Sequence, residues 1–124
     1  MSTLRVSTLA NQGGTQSTAI ENAINGSAKA WVNFNGTGTV AIRASYNVSS
    51  ITDNNVGLYT VNFTTAMVDA DYALSGSAYN SGGNNSVGLD TNRAPSSSAA
   101  PITTSNTNTG AAFDSAITTV AVFR

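Results

Sequence analysis

Residues 29 to 67 read KAWVNFNGTGTVAIRASYNVSSITDNNVGLYTVNFTTAM, and apolar and polar side chains alternate through three blocks of this stretch. The apolar positions of one parity are Ala28, Ala30, Val32 and Phe34, then Val40, Ile42, Ala44, Tyr46 and Val48, then Tyr59, Val61 and Phe63. A period of two predicts half-buried β-strands. Asn35 to Gly38 and Asp53 to Gly57 separate the blocks, and their Asn, Asp and Gly residues favour turns. The stretch therefore predicts an antiparallel β-meander.

The β pattern continues beyond the meander. Residues 72 to 79 alternate again, residues 80 to 85 have the composition of a turn, and a short strand is predicted around Val87 and Leu89. Residues 91 to 110 are rich in Ser, Thr and Asn, with one strand segment at Ile102 to Thr104, and this region is expected to be the loosest of the chain.

The last strand, around residues 117 to 123, is apolar on both parities. Two-sided apolarity is typical of a central strand, or of a strand covered by its own core on one face and by another subunit on the other. Together the segments predict an all-β fold, an antiparallel, jelly-roll-like β-sandwich of about seven or eight short strands with a short N-terminal helix.

The helix is predicted within residues 1 to 27, which differ in pattern from the rest. Thr18 to Glu21 matches a capping box, Ile20, Ala23 and Ile24 lie three and four residues apart, and Asn25-Gly26 favours a C-terminus. So short a helix needs packing, either beneath the sheet or against a neighbouring molecule. We therefore divide the chain into an N-terminal arm (1–27) and a β-sandwich domain (28–124).

Composition excludes several functional classes. Only 9% of the 124 residues are charged and the net charge is −1, whereas a nucleic-acid-binding protein needs clustered Lys and Arg. No apolar run is long enough for a membrane span, and Met1 is not followed by a signal-peptide pattern, so synthesis in the cytoplasm is expected. Without Cys or His, neither a cofactor nor a metal is expected.

The carboxylates offer two alternatives to a purely structural role. Asp69 and Asp71 form the only close acidic pair, which a glycosidase mechanism would require, but turn formation is the more common role of such residues. Asp53 to Asn55, or Asp90 with Asn92, present oxygen ligands for calcium, but their spacing matches no calcium loop. We expect turns at these positions, and no catalytic residues.

Two aromatic residues are candidates for ligand contact. Trp31 has the opposite parity from Val32 and Phe34, so it is core of a second layer, a subunit contact or a stacking platform for a sugar. Tyr79 adjoins a polar loop whose amides suit carbohydrate recognition, or it caps the sheet. The candidate ligand-binding residues are Tyr79, Asn80, Asn84 and Asn85.

Arg43 lies in an otherwise neutral strand. An uncompensated cation beneath another layer would be costly. We therefore expect it to contact an acid or backbone carbonyls at a partly covered site.

The sequence KAWVNFNGTGTVAIRASYNVSSITDNNVGLYTVNFTTAM resembles a module of small tail-fibre-like, receptor-binding proteins of bacteriophages, especially marine and cyanobacterial phages. The first residues, MSTLRV, and the last, VAVFR, resemble the ends of the same group. The resemblance implies a virion-surface protein, a homotrimer that contacts other phage virion proteins and attaches to a host-surface glycan. The alternative is a capsid decoration, head fibre or adaptor with a structural role only.

This resemblance suggests a division of labour along the chain. The arm carries the apolar residues that a virion-docking interface requires, namely Leu4, Val6, Leu9, Ile20 and Ile24. The loops at residues 80 to 85 and 92 to 110 are small and polar, and they are expected to face outward from the particle.

Overall fold

The computed structural model describes all 124 residues. Its elements are β1 (Thr8–Ala10), β2 (Ser17–Ala19), α1 (Ile20–Gly26), β3 (Ala30–Asn35), β4 (Ala41–Tyr46), β5 (Val48–Asn55), β6 (Leu58–Phe63), β7 (Ala73–Tyr79), β8 (Asn85–Leu89), β9 (Ala99–Asn106) and β10 (Ile117–Phe123). All strand pairs are antiparallel.

Two four-stranded sheets form the sandwich, with strand orders β4-β3-β10-β7 and β5-β6-β9-β8. Sheet 1 (β4-β3-β10-β7) therefore places the two-sided strand β10 in its interior, as the sequence predicts. Within the sandwich, hairpins β3-β4, β5-β6 and β8-β9 each stay in one sheet, and the connections β4-β5, β6-β7, β7-β8 and β9-β10 cross between the two sheets. The predicted all-β antiparallel sandwich with a short N-terminal helix is confirmed.

The inward-facing residues of both sheets form one apolar core. Its buried members are Ala30, Val32, Phe34, Val48, Tyr59, Val61, Phe63, Met67, Tyr72, Ala100, Ile102, Val120 and Val122. Phe34 and Tyr59 meet edge to face with ring centroids 5.1 Å apart, and Phe63 and Tyr72 meet in the same way at 5.8 Å. These edge-to-face pairs join the two sheets at opposite ends of the core.

The second predicted strand is wrong in its bounds and its burial. The chain leaves sheet 1 at Asn47, which has a positive φ of 54°, so Val48 begins a strand of sheet 2 (β5-β6-β9-β8). All of β4 is exposed because it is an edge strand. Its register with β3 also shifts at Asn33/Phe34, and a one-residue shift reverses the faces of the side chains beyond it. Tyr46 consequently lies opposite Trp31, not on the core face.

The arm, residues 1 to 27, lies outside the core. β1 and β2 pair with each other alone, and α1 has no buried residue. The predicted capping box does not form, because Thr18 belongs to β2 and Ala19 occupies the cap position without a side-chain hydrogen bond. The alternative in which the helix packs beneath the sheet is wrong. The division of the chain into two domains stays a prediction.

Residues 91 to 110 are more ordered than their composition suggests. β9 occupies an interior position of sheet 2, and Ala100, Pro101, Ile102 and Thr104 are buried within it. The strand predicted at Ile102 to Thr104 is found within the longer β9, whereas the expectation of a loose, outward-facing loop is wrong for the rest of Ala99–Asn106. Small side chains suit this position because β9 has strands on both sides and the facing sheet above it.

Candidate functional site

The strand register places the arm and Tyr79 at opposite ends of the sandwich. In sheet 1, Ala30 pairs with Val122, whereas Tyr79 pairs with Ile117 at the other end of β10. Ile117 and Val122 are five positions apart along the extended strand, a distance of about 17 Å. We call the end next to the arm the proximal end and the end next to Tyr79 the distal end. The sandwich therefore has two distinct ends along its strand direction.

Four connections meet at the distal end, and the one between β9 and β10 contacts the other three, β3-β4, β5-β6 and β7-β8. Asp114 Oδ1 accepts hydrogen bonds from the Tyr59 hydroxyl and from the Gly57 amide, each at 2.8 Å. The Gly36 amide donates to the Ser115 carbonyl at 2.8 Å. The Ser115 hydroxyl lies 2.8 Å from the Tyr79 carbonyl, which anchors the end of β7. These contacts give the polar distal loops a fixed base.

Tyr59 and Gly36 make this base tightly packed. Burial, reinforced by the hydrogen bond to Asp114, raises the pKa of Tyr59 above its ordinary value, so the hydroxyl stays a donor. It also lies 3.1 Å from the Gly36 carbonyl oxygen. A Cβ at Gly36 would lie 2.4 Å from the same hydroxyl oxygen, and only glycine fits there.

The predicted ligand-binding residues lie together at this end. Tyr79 is 59% exposed, and Asn80 and Asn84 are exposed in the turn between β7 and β8. The Asn84 carbonyl accepts bonds from the amide and hydroxyl of Thr107, at 2.9 and 3.1 Å. Asn85 is half-buried, and its amide lies 3.4 Å from the Asn80 carbonyl. The backbone of the turn is thus held while the Tyr79 ring stays accessible.

A second accessible surface is the outer face of sheet 1. Directly paired residues share a face, so Trp31 lies between Tyr46 on β4 and Ala121 on β10. Trp31 is 41% exposed and Tyr46 58% exposed. The alternative that Trp31 is core of a second layer is therefore wrong for this chain, while subunit contact and sugar stacking both stay open.

A groove of about 510 Å³ lies beside Trp31 on this face. Ligand pockets commonly fall in the range of about 300–1,000 Å³. Its lining residues are Trp31, Val32, Asn33, Ser75, Gly76, Ser77, Thr119, Val120 and Ala121. None of these side chains is ionisable. The groove therefore combines one aromatic wall with a floor of small hydroxyl and amide groups.

Arg43 bonds a backbone carbonyl of the segment between β9 and β10, and the sequence predicted such a carbonyl partner. Its guanidinium donates to the Ala116 carbonyl at 2.7 Å and lies 3.5 Å from the Asn33 side-chain oxygen. The side chain is exposed, so the predicted partial cover of this site is wrong. The contact ties edge strand β4 to the segment before β10.

The acidic pair does not have the environment of a catalytic dyad. Arg124 donates two hydrogen bonds to Asp69, and these bonds lower the pKa of the Asp69 carboxyl. A glycosidase acid requires a raised pKa. Asp69 also accepts a bond from the Asp71 amide at 2.9 Å, which is the turn geometry expected from the sequence.

Of the candidate calcium ligands, Asp90 and Asn92 are engaged in a turn, whereas Asp53 to Asn55 are the last residues of strand β5, so the turn expected at those three positions is wrong. Asp90 is buried, accepts from the Asn92 amide at 2.9 Å and pairs with Arg93 at 3.2 Å. No three acidic side chains come together anywhere in the chain. The two carboxylate oxygens of Asp90 are occupied by the protein's own donors.

The largest depression of the surface lies at the proximal end. This groove of about 530 Å³ is lined by Lys29, Tyr46, Asn47, Thr64, Thr65, Ala66, Met67, Val68 and Arg124. Asn47 closes its base, because its side-chain amide bonds the Lys29 and Thr65 carbonyls, each at 3.0 Å. The groove adjoins the point where the arm enters the sandwich.

Comparison with protein-family models, with curated proteins and with solved structures finds no match. The single helix α1 has seven residues, and no helix has the length and apolarity needed to cross a bilayer.

Sequence reasoning missed three residues of these surfaces. Tyr46 was predicted on the core face because the β4 bulge has no signature in the alternating pattern. Asp114 and Ser115 were not predicted at all, because their partners lie 55 and 36 residues away in the chain. The Asp-Ser sequence signals a turn, but it does not reveal which distant groups the turn would bond.

Proposed function

We propose that the protein is a bacteriophage virion component, a tail fibre or fibre tip that attaches to a host-surface glycan. The proposal rests on the sequence resemblance of residues 29 to 67 and of the two chain ends. One structural observation supports it most strongly: the arm and the Tyr79 loop lie at opposite ends of the sandwich. An attachment protein needs this separation, because one end is covered by the particle and the other must reach the host.

The arm supplies the virion-docking side of this proposal. Its apolar residues Leu4, Val6, Leu9 and Ile24 are exposed, and Ile20 is half-buried. Apolar side chains exposed together mark an interaction surface more often than an isolated one does. In the particle they pack against other virion proteins or against the arms of sister subunits.

The oligomer in this proposal is a homotrimer assembled through the arm and the exposed edge of sheet 1. β4 is an unpaired edge, exposed along its whole length, and such edges favour association unless they are covered or charged. Light scattering is expected to give three times the chain mass of 12.6 kDa. A stable monomer at micromolar concentration would contradict the trimer.

The distal end supplies the recognition side. Tyr79 offers an aromatic face, and the adjoining asparagines offer amide donors and acceptors, which is the chemistry that binds a sugar. No catalytic role is proposed. In the alternative function, a capsid decoration, head fibre or adaptor, the arm would dock as described and the distal end would contact nothing on the host.

An adsorption experiment separates these two functions. Phage carrying Tyr79→Ala, Asn84→Ala and Asn85→Ala together are expected to keep the protein on the particle and to adsorb more slowly. Val56→Ala is the matched control, because Val56 is an exposed apolar residue of a turn at the same end. Normal adsorption by the triple variant would favour the decorative role.

A further inference from the structure

We infer that the groove on the outer face of sheet 1 is a binding site for a neutral oligosaccharide, with Trp31 as its stacking wall. The inference rests on the proposed function and gives the glycan a location and a charge class. The outer face presents Ser75, Ser77 and Tyr79 at alternate positions of β7. The groove is therefore continuous with the Tyr79 loop along one strand.

The absence of charge in the groove selects the class of ligand. None of its nine lining residues is ionisable. The one cation that touches a lining residue is the Arg43 guanidinium beside Asn33, and it already donates to the Ala116 carbonyl. An acidic sugar would therefore gain no cation from the lining itself, while it would lose part of its hydration. A neutral sugar presents hydroxyl groups that both donate and accept hydrogen bonds. The hydroxyl and amide side chains of the groove floor also donate and accept hydrogen bonds, so they can pair with such a sugar.

The hydrogen-bonding state of the floor favours a polar ligand over a second copy of this chain. The Ser77 and Thr119 hydroxyls bond each other at 2.8 Å and are exposed or half-exposed. Covering them with another protein sheet would leave their remaining hydrogen-bonding capacity unmet, which carries a cost. A sugar hydroxyl meets that capacity directly or through water.

Trp31 supplies the apolar half of the site. The residue is 41% exposed. Its paired neighbour on β10 is the small Ala121, and Ala121 in turn pairs with Ser75 on β7. An indole that borders small residues leaves one side free for a flat partner. The apolar face of a pyranose ring has the required shape, and an aromatic ring buries much apolar area for little loss of conformational freedom.

The single tryptophan makes the site directly measurable. The chain has one Trp, so intrinsic tryptophan fluorescence reports this groove alone. The probes are cellopentaose, mannopentaose and chitopentaose as neutral oligosaccharides, with pentagalacturonate as the acidic counterpart. We expect a saturable change in emission with at least one neutral probe and none with pentagalacturonate.

Ser75→Arg fills the groove with a bulky cation while Trp31 remains, and it is expected to weaken binding by about tenfold or more. Thr91→Arg adds the same charge at an exposed turn remote from the groove and is expected to bind the probes as tightly as the unmodified chain does.

Trp31→Ala, measured by isothermal titration calorimetry, provides a second test that adds no bulk. It is expected to lose binding while its circular dichroism spectrum remains that of a β-sandwich.

Three outcomes would overturn the inference: no binding of any neutral probe by fluorescence or calorimetry, preference for pentagalacturonate, or unchanged affinity in both groove variants. Dissociation of an oligomer by Ser75→Arg would also overturn it, because the face would then be a subunit contact. Loss of adsorption in the Tyr79 loop variant together with an inert groove would remove this inference alone. Sugar binding by a protein that is absent from phage particles would remove the proposed function alone.

Discussion

At the scale of single residues, two buried threonines show how partners decide the contribution of a hydroxyl. Thr104 and Thr118 are both fully buried in interior strands. The Thr104 hydroxyl donates to the Phe113 carbonyl at 2.5 Å, whereas the Thr118 hydroxyl has no partner. A buried polar group without a partner destabilises the folded state, whereas a hydrogen-bonded one stabilises it.

We therefore expect Thr118→Val and Thr104→Val to have opposite effects. Removing the unpaired hydroxyl of Thr118 should raise the free energy of unfolding by about 1 kcal/mol, while removing that of Thr104 should lower it by about 1–2 kcal/mol. Urea denaturation of the two variants measures both values. Destabilisation by Thr118→Val as large as that by Thr104→Val would show that the Thr118 hydroxyl is paired in solution.

Tyr59 predicts how stability depends on pH at the alkaline end. Its pKa is raised in the folded state, while the unfolded phenol titrates at about 10. The protonated Tyr59 hydroxyl therefore contributes fully to the free energy of unfolding below about pH 10. This contribution is lost as the pH rises above that value toward the pKa of the folded state. Burial raises the pKa of Tyr72 as well, so two groups share the decline.

Tyr59→Phe tests this dependence. The variant loses the bond to Asp114 and should be less stable at pH 7 by about 1–3 kcal/mol. Its stability should then fall less steeply above pH 10 than that of the unmodified chain. Denaturation series at pH 7 to 11 measure both effects, and parallel curves for the two proteins would contradict the assignment.

At the scale of elements, the alternating pattern predicted some strands well and others poorly. The buried parity of β3 and β6 follows from the sequence, because both strands are interior and one of their faces is core. The prediction for β4 was wrong because the alternation of apolar and polar residues continues through the bulge and through Asn47, where the chain changes sheet. The bulge depends on how β3 pairs with β4, and the change of sheet depends on the hydrogen bonds of Asn47 to the Lys29 and Thr65 carbonyls. Local alternation encodes neither.

β9 is the opposite case, because the sequence predicted a strand only at Ile102 to Thr104 and the strand runs from Ala99 to Asn106. Its Ser and Thr content resembles a loop, yet Thr104 is buried through a hydrogen bond to the segment that precedes β10. Polar strands can therefore occupy interior positions when a distant loop satisfies them. The distal contacts of Asp114 and Ser115 were beyond prediction for the same reason, whereas the exposure of Tyr79 followed from its place beside a turn.

The arm yields a prediction at this scale. None of its residues belongs to the apolar core, and its hydrogen bonds reach no further along the chain than Lys29. Deleting residues 1 to 27 should therefore leave a folded sandwich with nearly the same melting temperature. Ile102→Ala, a truncation in the core, should instead cost about 2–5 kcal/mol.

Circular dichroism and thermal melts of the arm deletion and of Ile102→Ala, each against the full chain, provide the comparison. An unfolded deletion variant would show that the arm is part of the fold. The proposed two-domain division would then be wrong.

At the scale of the whole molecule, the proposed attachment role requires that the two ends of the sandwich differ. The arm and the 530 Å³ groove lie at the proximal end, and the Tyr79 loop lies at the distal end. A particle-bound protein with this orientation covers its proximal end and exposes its distal end. The sandwich is the rigid spacer between them, because its interior strands are paired on both sides.

Thiol labelling on intact phage tests this orientation most directly. The chain has no cysteine, so Ala10→Cys in β1 and Ser81→Cys in the distal turn each introduce one thiol at an exposed, small residue. In the isolated protein both thiols should react with a maleimide dye at similar rates. On intact particles we predict that Ser81→Cys still reacts while Ala10→Cys is protected. Protection of Ser81→Cys with free reaction of Ala10→Cys, or equal reaction of both, would contradict the account.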